Sequence, residues 1–542
     1  MRRSVMAAFA AAMAVGAALL GAPAAQAAPS PAAQAPVGYT PPPVAWQACT
    51  KDVFTGLSDR QVTSLGNRKA ECGFVQVPLD WSQPQAKKIQ IAVSRYKHNT
   101  AGAGQGPMLV NPGGPGGSGL GLSILGDFVP NNVGRDYDWI GFDPRGVGSS
   151  KPAVSCIADY AGYNRPDYEP SKSPKAIPAW LAKSAQYAQA CRKNGPILDH
   201  LTTLDSVKDM DAIRTALGAK QINYYGFSYG TYLGQVYATV YPQNLRRAVF
   251  DGVVRSSGVW YDDNIDQDIA FQKTIEVYFD WVAKYDAVYH LGTTGKAVEK
   301  LYYATQDKLR KKPAGGKIGP AEWNDIFLQA GYYVFGWEDV ATMFSNFVKT
   351  NDPAPVIDLY NNTNDTTNDN GYAIYLGVQC TDTQWPPLPK ALADNFRVSQ
   401  KAPFETWANG WFNAPCSFWP AKAKTPVKID GSKAPAILMI NETLDAATPY
   451  NGALETRRIF PKSVLVEGVG GTTHAGSLNG VACTDDTIAA YLKSGALPAR
   501  VAGSRSDKQC DPVPQPDPTA PAPAAKTAAP SGAAVAGSGR FA

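Results

Sequence analysis

The chain has little of the chemistry that marks nucleic-acid or metal-binding proteins. Its 542 residues hold only four histidines. No two of its cysteines form a C-x-x-C pair, so a zinc site or a dithiol redox centre lacks its usual ligand spacing. The net charge is only +5, and no run of Lys and Arg makes a basic stripe, which excludes the electrostatic footprint of a nucleic-acid binder. The glycine-rich stretch "NPGGPGGSG" at 111–119 is not followed by Lys-Ser/Thr, so a phosphate loop is not expected. Beyond the first residues no apolar run is long enough to span a bilayer. No metal, no cofactor, no nucleic acid and no stable membrane association are expected.

What is present starts with a targeting segment. Arg2 and Arg3 precede the apolar run "VMAAFAAAMAVGAALLG", and Ala25-Gln26-Ala27 supplies small residues of the A-x-A type. This pattern reads as a secretory signal peptide over residues 1–27. A membrane anchor is the alternative, but the run is short and Ala-rich. Residues 28–45 are rich in Pro and Ala and read as a leader or pro-segment. The stretch 511–542 is again rich in Pro, Ala, Gly and Ser and is expected to be disordered, because it has too little apolar surface to bury. Secretion to the extracellular space is the expected localisation.

Export changes the meaning of the eight cysteines. An even number in an exported protein suggests disulfides. Pairing of sequential neighbours is the simplest scheme, because short loops are easiest to close: Cys49–Cys72, Cys156–Cys191, Cys380–Cys416 and Cys483–Cys510.

Between the two ends, strand-like apolar runs alternate with helical patterns. "CGFVQVPL" and "KIQIAVSRY" form an antiparallel opening pair. "PMLVNPGG", "YDWIGFDPRG", "INYYGF", "RRAVFDGV", "PAILMIN" and "SVLVEGVG" follow. Helical patterns at 205–217, 229–241 and 484–494 separate several of them. Such alternation predicts a mostly parallel sheet of eight strands flanked by helices. The alternation breaks between 255 and 425, where helical, aromatic-rich segments dominate. This stretch reads as a large, mainly helical lid inserted before the penultimate strand, with a separate second domain as the alternative. The core then comprises 46–254 and 426–510.

"GFSYG" at 226–230 lies where a strand gives way to a helix. A serine hydroxyl is a weak nucleophile until a base takes its proton. A G-x-S-x-G turn between strand and helix holds the Ser strained and exposed, and its glycines permit the close backbone approach. Ser228 is therefore the expected nucleophile. The base must be one of the four histidines. His98 and His200 precede Ser228, and His290 lies in the lid. His474, in "VEGVGGTTHAG", follows the last strand, where the Ser–acid–His chain order requires it. The acid belongs in the loop after the preceding strand, "ETLDAATP". Asp445 is the choice there, with Glu442 as its rival and Asp251 as a second. The oxyanion needs fixed N–H donors: the backbone of Tyr229, and Gly114 of the glycine-rich loop, with Gly113 next.

These motifs resemble the secreted tripeptidyl aminopeptidase group of α/β-hydrolases, serine exopeptidases related to prolyl aminopeptidases. The resemblance is carried by "CGFVQVPLDWSQP", "NPGGPGGSG", "GFDPRGVGSS", "YYGFSYGTYLGQVYATVYP", "VFDGVV", "VQCTD" and the block 435–490. It implies an α/β-hydrolase fold, a triad of Ser228, Asp445 and His474, and an oxyanion hole at Gly114 and Tyr229. It also implies removal of tripeptides, or similar short units, from peptides with a free N-terminus; a monomer is expected. "TTHAG" departs from the common G-H-G around the His. "RSSGVW" after "VFDGVV" is also atypical and leaves the lid's specificity open. Reading a substrate ammonium needs a carboxylate, and Asp382 and Glu338 are the lid candidates. Trp337, Trp385, Trp407 and Trp411 either line an apolar pocket or form the lid core. An esterase, a lipase or another amide hydrolase could use the same triad, because fold alone does not fix function.

Overall fold

A computed structural model describes residues 38–100 and 104–520. The expected signal peptide and most of the leader lie outside these residues, as do 521–542. The strands are β1 (Gln47–Ala48), β2 (Glu71–Pro78), β3 (Lys88–Tyr96), β4 (Pro107–Asn111), β5 (Asp138–Phe142), β6 (Ile222–Phe227), β7 (Leu245–Asp251), β8 (Ile437–Glu442), β9 (Val464–Gly468) and β10 (Lys508–Cys510). They form one sheet in the order β1-β2-β3-β5-β4-β6-β7-β8-β9-β10. The pairs β1/β2, β2/β3 and β3/β5 are antiparallel, and every other pair is parallel.

The eight expected strands are all present as β2–β9, and the sheet has ten. The two extra strands are two and three residues long. Strands so short carry no readable alternation, and their pairing comes from the neighbouring strand. Those in the middle are legible for the opposite reason. β6 and β8 are buried at every position, as covering a parallel sheet on both faces requires. All four expected disulfides form.

A long helical insertion runs from Tyr261 to Asn413, between β7 and β8. Its interior is aromatic: Phe271, Tyr278, Trp281, Trp323, Phe327, Trp337 and Phe344 share one buried cluster. The insertion and the sheet belong to one compact unit. The lid also extends beyond the expected 255–425, because part of the segment 155–200 packs into it. The Arg165 guanidinium pairs with Glu322 at 3.1 Å and Asp325 at 2.5 Å, with all three side chains buried. Asp369 accepts hydrogen bonds from Ser155 Oγ and from the backbone N–H groups of Cys156 and Ile157. Trp180 stacks on Trp411 with ring centroids 6.3 Å apart. A buried charge of this kind is held only by partners that neutralise it.

The expected disorder of 511–542 does not hold for residues 511–520. Val513 is buried in the lid's cluster, and the Trp281 indole N–H donates to the Pro516 carbonyl at 2.9 Å. Composition missed this because the segment borrows its burial from the lid rather than supplying its own.

Candidate active site

β6 ends at Phe227, and the helix Tyr229–Val240 starts two residues later. Ser228 alone makes the turn, at φ 54° and ψ −128°. A non-glycine residue there is strained and is held only by its surroundings. The glycines are explained by contact. A Cβ on Gly226 would lie 2.5 Å from the Gly230 carbonyl oxygen, and one on Gly230 would lie 2.7 Å from that of Asn111. Gly234 packs against Phe250 in the same way. The turn is further fixed by the Ser228 N–H, which donates to the Asp251 carbonyl at 2.9 Å.

His474 follows β9, and its Nδ1 lies 3.0 and 2.9 Å from the two carboxylate oxygens of Asp445. Both side chains are buried. Asp445 is itself fixed by the N–H groups of Ala447 and Thr448 and by Thr448 Oγ1, at 2.9, 3.0 and 2.8 Å. A carboxylate held this way orients the ring and sets its tautomer. The rivals have other work. Glu442 accepts from the backbone of Thr473 and Val513. Asp251 accepts from the Ser477 N–H at 2.9 Å, and its burial pushes its carboxyl up to about 6.

Ser228, Tyr229, Gly114 and His474 line one cleft of about 770 Å³. Among the described residues no hydrogen bond joins Ser228 to His474. Such bonds are often long before substrate is bound. In the loop after β4, Gly113 and Gly114 have φ of 97° and 107°, a region that favours glycine. The Gly113 N–H is committed to Asn111 Oδ1 at 3.0 Å. Gly114 is exposed and faces the cleft, which distinguishes the two candidates. Asp143 braces this loop by accepting from Ser118 Oγ at 2.6 Å and the Gly119 N–H at 3.1 Å, while its other oxygen takes the Ser149 N–H at 2.8 Å. Nothing in "GFDPRGVGSS" as a sequence marks that brace.

The two expected ammonium ligands are not brought to the cleft. Asp382 is buried behind Tyr229, where it accepts from Thr203 N–H, Thr203 Oγ1 and Trp260 Nε1. Burial there pushes its carboxyl up to about 7. Glu338 lies half-buried in the first turn of the helix Trp337–Thr350 and does not line the cleft. Of the four tryptophans, Trp337, Trp407 and Trp411 are lid core, and Trp385 is half-buried against Tyr261. Other residues line the cleft wall. Glu405, only 2% exposed, stands there with Asn264, Asn409 and Gln379. Trp260, Tyr375 and Phe412 add aromatic surface. Asp263 and Asp266 sit beside Arg255, at 2.8 and 2.9 Å. Nothing in the sequence around Glu405 separates it from the other lid acids.

Residues 106–480 match the family described as alpha/beta hydrolase fold. A "Tripeptidyl aminopeptidase" of Streptomyces coelicolor is 40% identical over 79% of this chain and 82% of its own length. A "Serine protease Hip1" of Mycobacterium tuberculosis is 29% identical over 84% of this chain and 90% of its own. A "Carboxylesterase B" of the same species is 29% identical over 80% of this chain and 85% of its own.

Proposed function

The chain belongs to the α/β-hydrolase family, and we propose that within it the protein is a secreted exopeptidase that removes tripeptides, or similar short units, from free peptide N-termini. The coarser statement, a serine peptidase of the α/β-hydrolase type, rests on the relatives named above. The finer one takes its substrate class from the tripeptidyl aminopeptidase relative, and its acyl-transfer chemistry is supported by a single observation above all. A strained serine and a histidine held by a buried aspartate line the same cleft.

In this reading Ser228 Oγ attacks the carbonyl carbon of the scissile bond, and His474 Nε2 takes its proton. Asp445 holds the Nδ1–H and stabilises the imidazolium. The N–H groups of Gly114 and Tyr229 receive the oxyanion. The C–N bond breaks as His474 returns the proton to the leaving amine. Water, activated by the same imidazole, then hydrolyses the acyl-enzyme. Recognition of the substrate ammonium falls to Glu405, the buried acid of the cleft wall, rather than to Asp382 or Glu338. Four disulfides support an oxidising, extracellular location.

The test compares Ala-Pro-Ala-anilide with a free amine and the same peptide N-acetylated. The reading expects cleavage of the free form alone, and a Glu405→Gln variant that loses this preference through a raised KM. Equal cleavage of both forms would remove the exopeptidase. Turnover of simple acyl esters with neither peptide cut would install the second reading, an esterase, which the relative named carboxylesterase B favours.

A further inference from the structure

Glu442 is a buried carboxylate that the proposed reaction does not use. It ends β8, three residues before Asp445. Its Oε2 accepts the Thr473 N–H at 2.5 Å, and its Oε1 accepts the Val513 N–H at 2.6 Å. Thr473 immediately precedes His474 in the chain. One carboxylate therefore ties the histidine loop to the segment that follows β10.

The packing around this bridge leaves no slack. A Cβ on Gly471 would lie 2.3 Å from Glu442 Oε2 and 2.5 Å from the Pro512 Cβ. One on Gly476 would lie 2.7 Å from Val513 Cγ2. The segment is anchored before the bridge by the Cys483–Cys510 disulfide, and after it by the Trp281 bond to Pro516. Its sequence, "DPVPQPDP" at 511–518, places proline at every second position. Each proline fixes its own φ and holds the preceding residue extended. The strap is thus half-ordered before it docks, which lowers the entropy lost on docking. Between Pro512 and Pro514, Val513 supplies the N–H that Glu442 accepts.

We infer that Glu442 is a positioning residue for His474, and that residues 511–516 are the strap through which it does so. The inference rests on the reading of His474 as the base. It goes beyond that reading by making a segment outside the hydrolase core part of the machinery. Burial pushes the Glu442 carboxyl up to about 8, so the bridge works through geometry rather than charge: two backbone N–H groups, one from each segment, are held by one buried side chain. Small displacements of a catalytic group cost rate steeply.

The test measures the rate at which a fluorophosphonate probe labels Ser228, beside the melting temperature, in the full-length protein and its variants. The probe needs an activated serine but no particular substrate class. Val513→Pro removes the one N–H that Glu442 accepts from this segment. A chain ending at Asp511 removes the strap, and a chain ending at Ala520 is the control. The expected result is labelling slowed about ten- to a hundredfold in Val513→Pro and in the chain ending at Asp511. The chain ending at Ala520 should match wild type. Val513→Pro should add little in a Glu442→Leu background, where the acceptor of its N–H is already gone. Wild-type labelling rates in Val513→Pro and in the chain ending at Asp511 would overturn the inference, even with lowered melting temperatures. So would effects that multiply in the double variant. His474→Ala separates the two readings. If it labels normally, both fall; if it is inert while Val513→Pro is normal, only the strap falls.

Discussion

The backbone N–H of His474 donates to the carbonyl of Tyr332 at 2.8 Å. Tyr332 is the last residue of the lid helix Pro320–Tyr332, so the lid holds the proposed base by its main chain. The rings of Tyr332 and Tyr333 flank the imidazole at 5.8 and 6.2 Å between centroids. Tyr333 is 7% exposed. Tyr333→Ala should open a cavity beside the imidazole and destabilise the protein by about 3 kcal/mol. Urea unfolding measures this, and a lowered kcat should accompany it.

Ser228→Ala should lower kcat by several orders of magnitude and leave the melting temperature near that of wild type. Asp445→Asn should cost about 10⁴ in kcat, because the amide favours the wrong tautomer of His474. A steady-state assay on a cleaved substrate reads both. Retained activity in either variant would remove that residue from the mechanism.

Gly113→Ala would place a Cβ 2.5 Å from the Phe227 carbonyl and 2.8 Å from the Ser228 Cβ, at a φ of 97°. Both the overpacking and the backbone strain oppose it, for a loss of about 1–3 kcal/mol. Activity should fall further than stability does, since the pressed atoms belong to the nucleophile's turn. Thermal melts and kcat on the same preparation separate the two effects.

The sheet was legible because parallel strands buried along their whole length, as β6 and β8 are, read as nearly continuous apolar runs. The proposed triad was legible through chain order, which left His474 and the loop holding Asp445. The structure brings these two into contact. The lid acids were not legible. Asp382 ends a helix whose residues from Leu376 onward are all buried, so no polar face marks which acid meets the cleft. Nor was the share of 155–200 in the lid, since Arg165 meets its partner Glu322 157 residues away. Local pattern carries no trace of a pairing over that distance.

Asp382 offers a test by pH. Its buried carboxyl is raised from the ordinary 3.8 to about 7. The folded protein therefore keeps this proton at pH values where the unfolded chain has released it. The resulting stability is full below about pH 4 and is lost as the pH rises through 7. Asp382→Asn has no proton to lose, so the decline of melting temperature between pH 4 and 7 should be shallower in the variant. Parallel curves for the two proteins would show that Asp382 is ionised in the fold throughout.

The lid is sewn to the rest of the molecule at several points. Asn370 Nδ2 donates to the Gly146 carbonyl at 2.8 Å. Gln267 Nε2 donates to the Ala447 carbonyl in the loop of Asp445 at 2.6 Å, Tyr332 holds His474, and Trp281 holds the strap. A cover fastened at so many seams behaves as a sleeve rather than a hinged door. Material must enter a sleeve through its mouth. On the exopeptidase reading proposed above, the loose end of a chain would enter and the middle of a folded polypeptide would not, so that selection for termini would precede any contact with a charge.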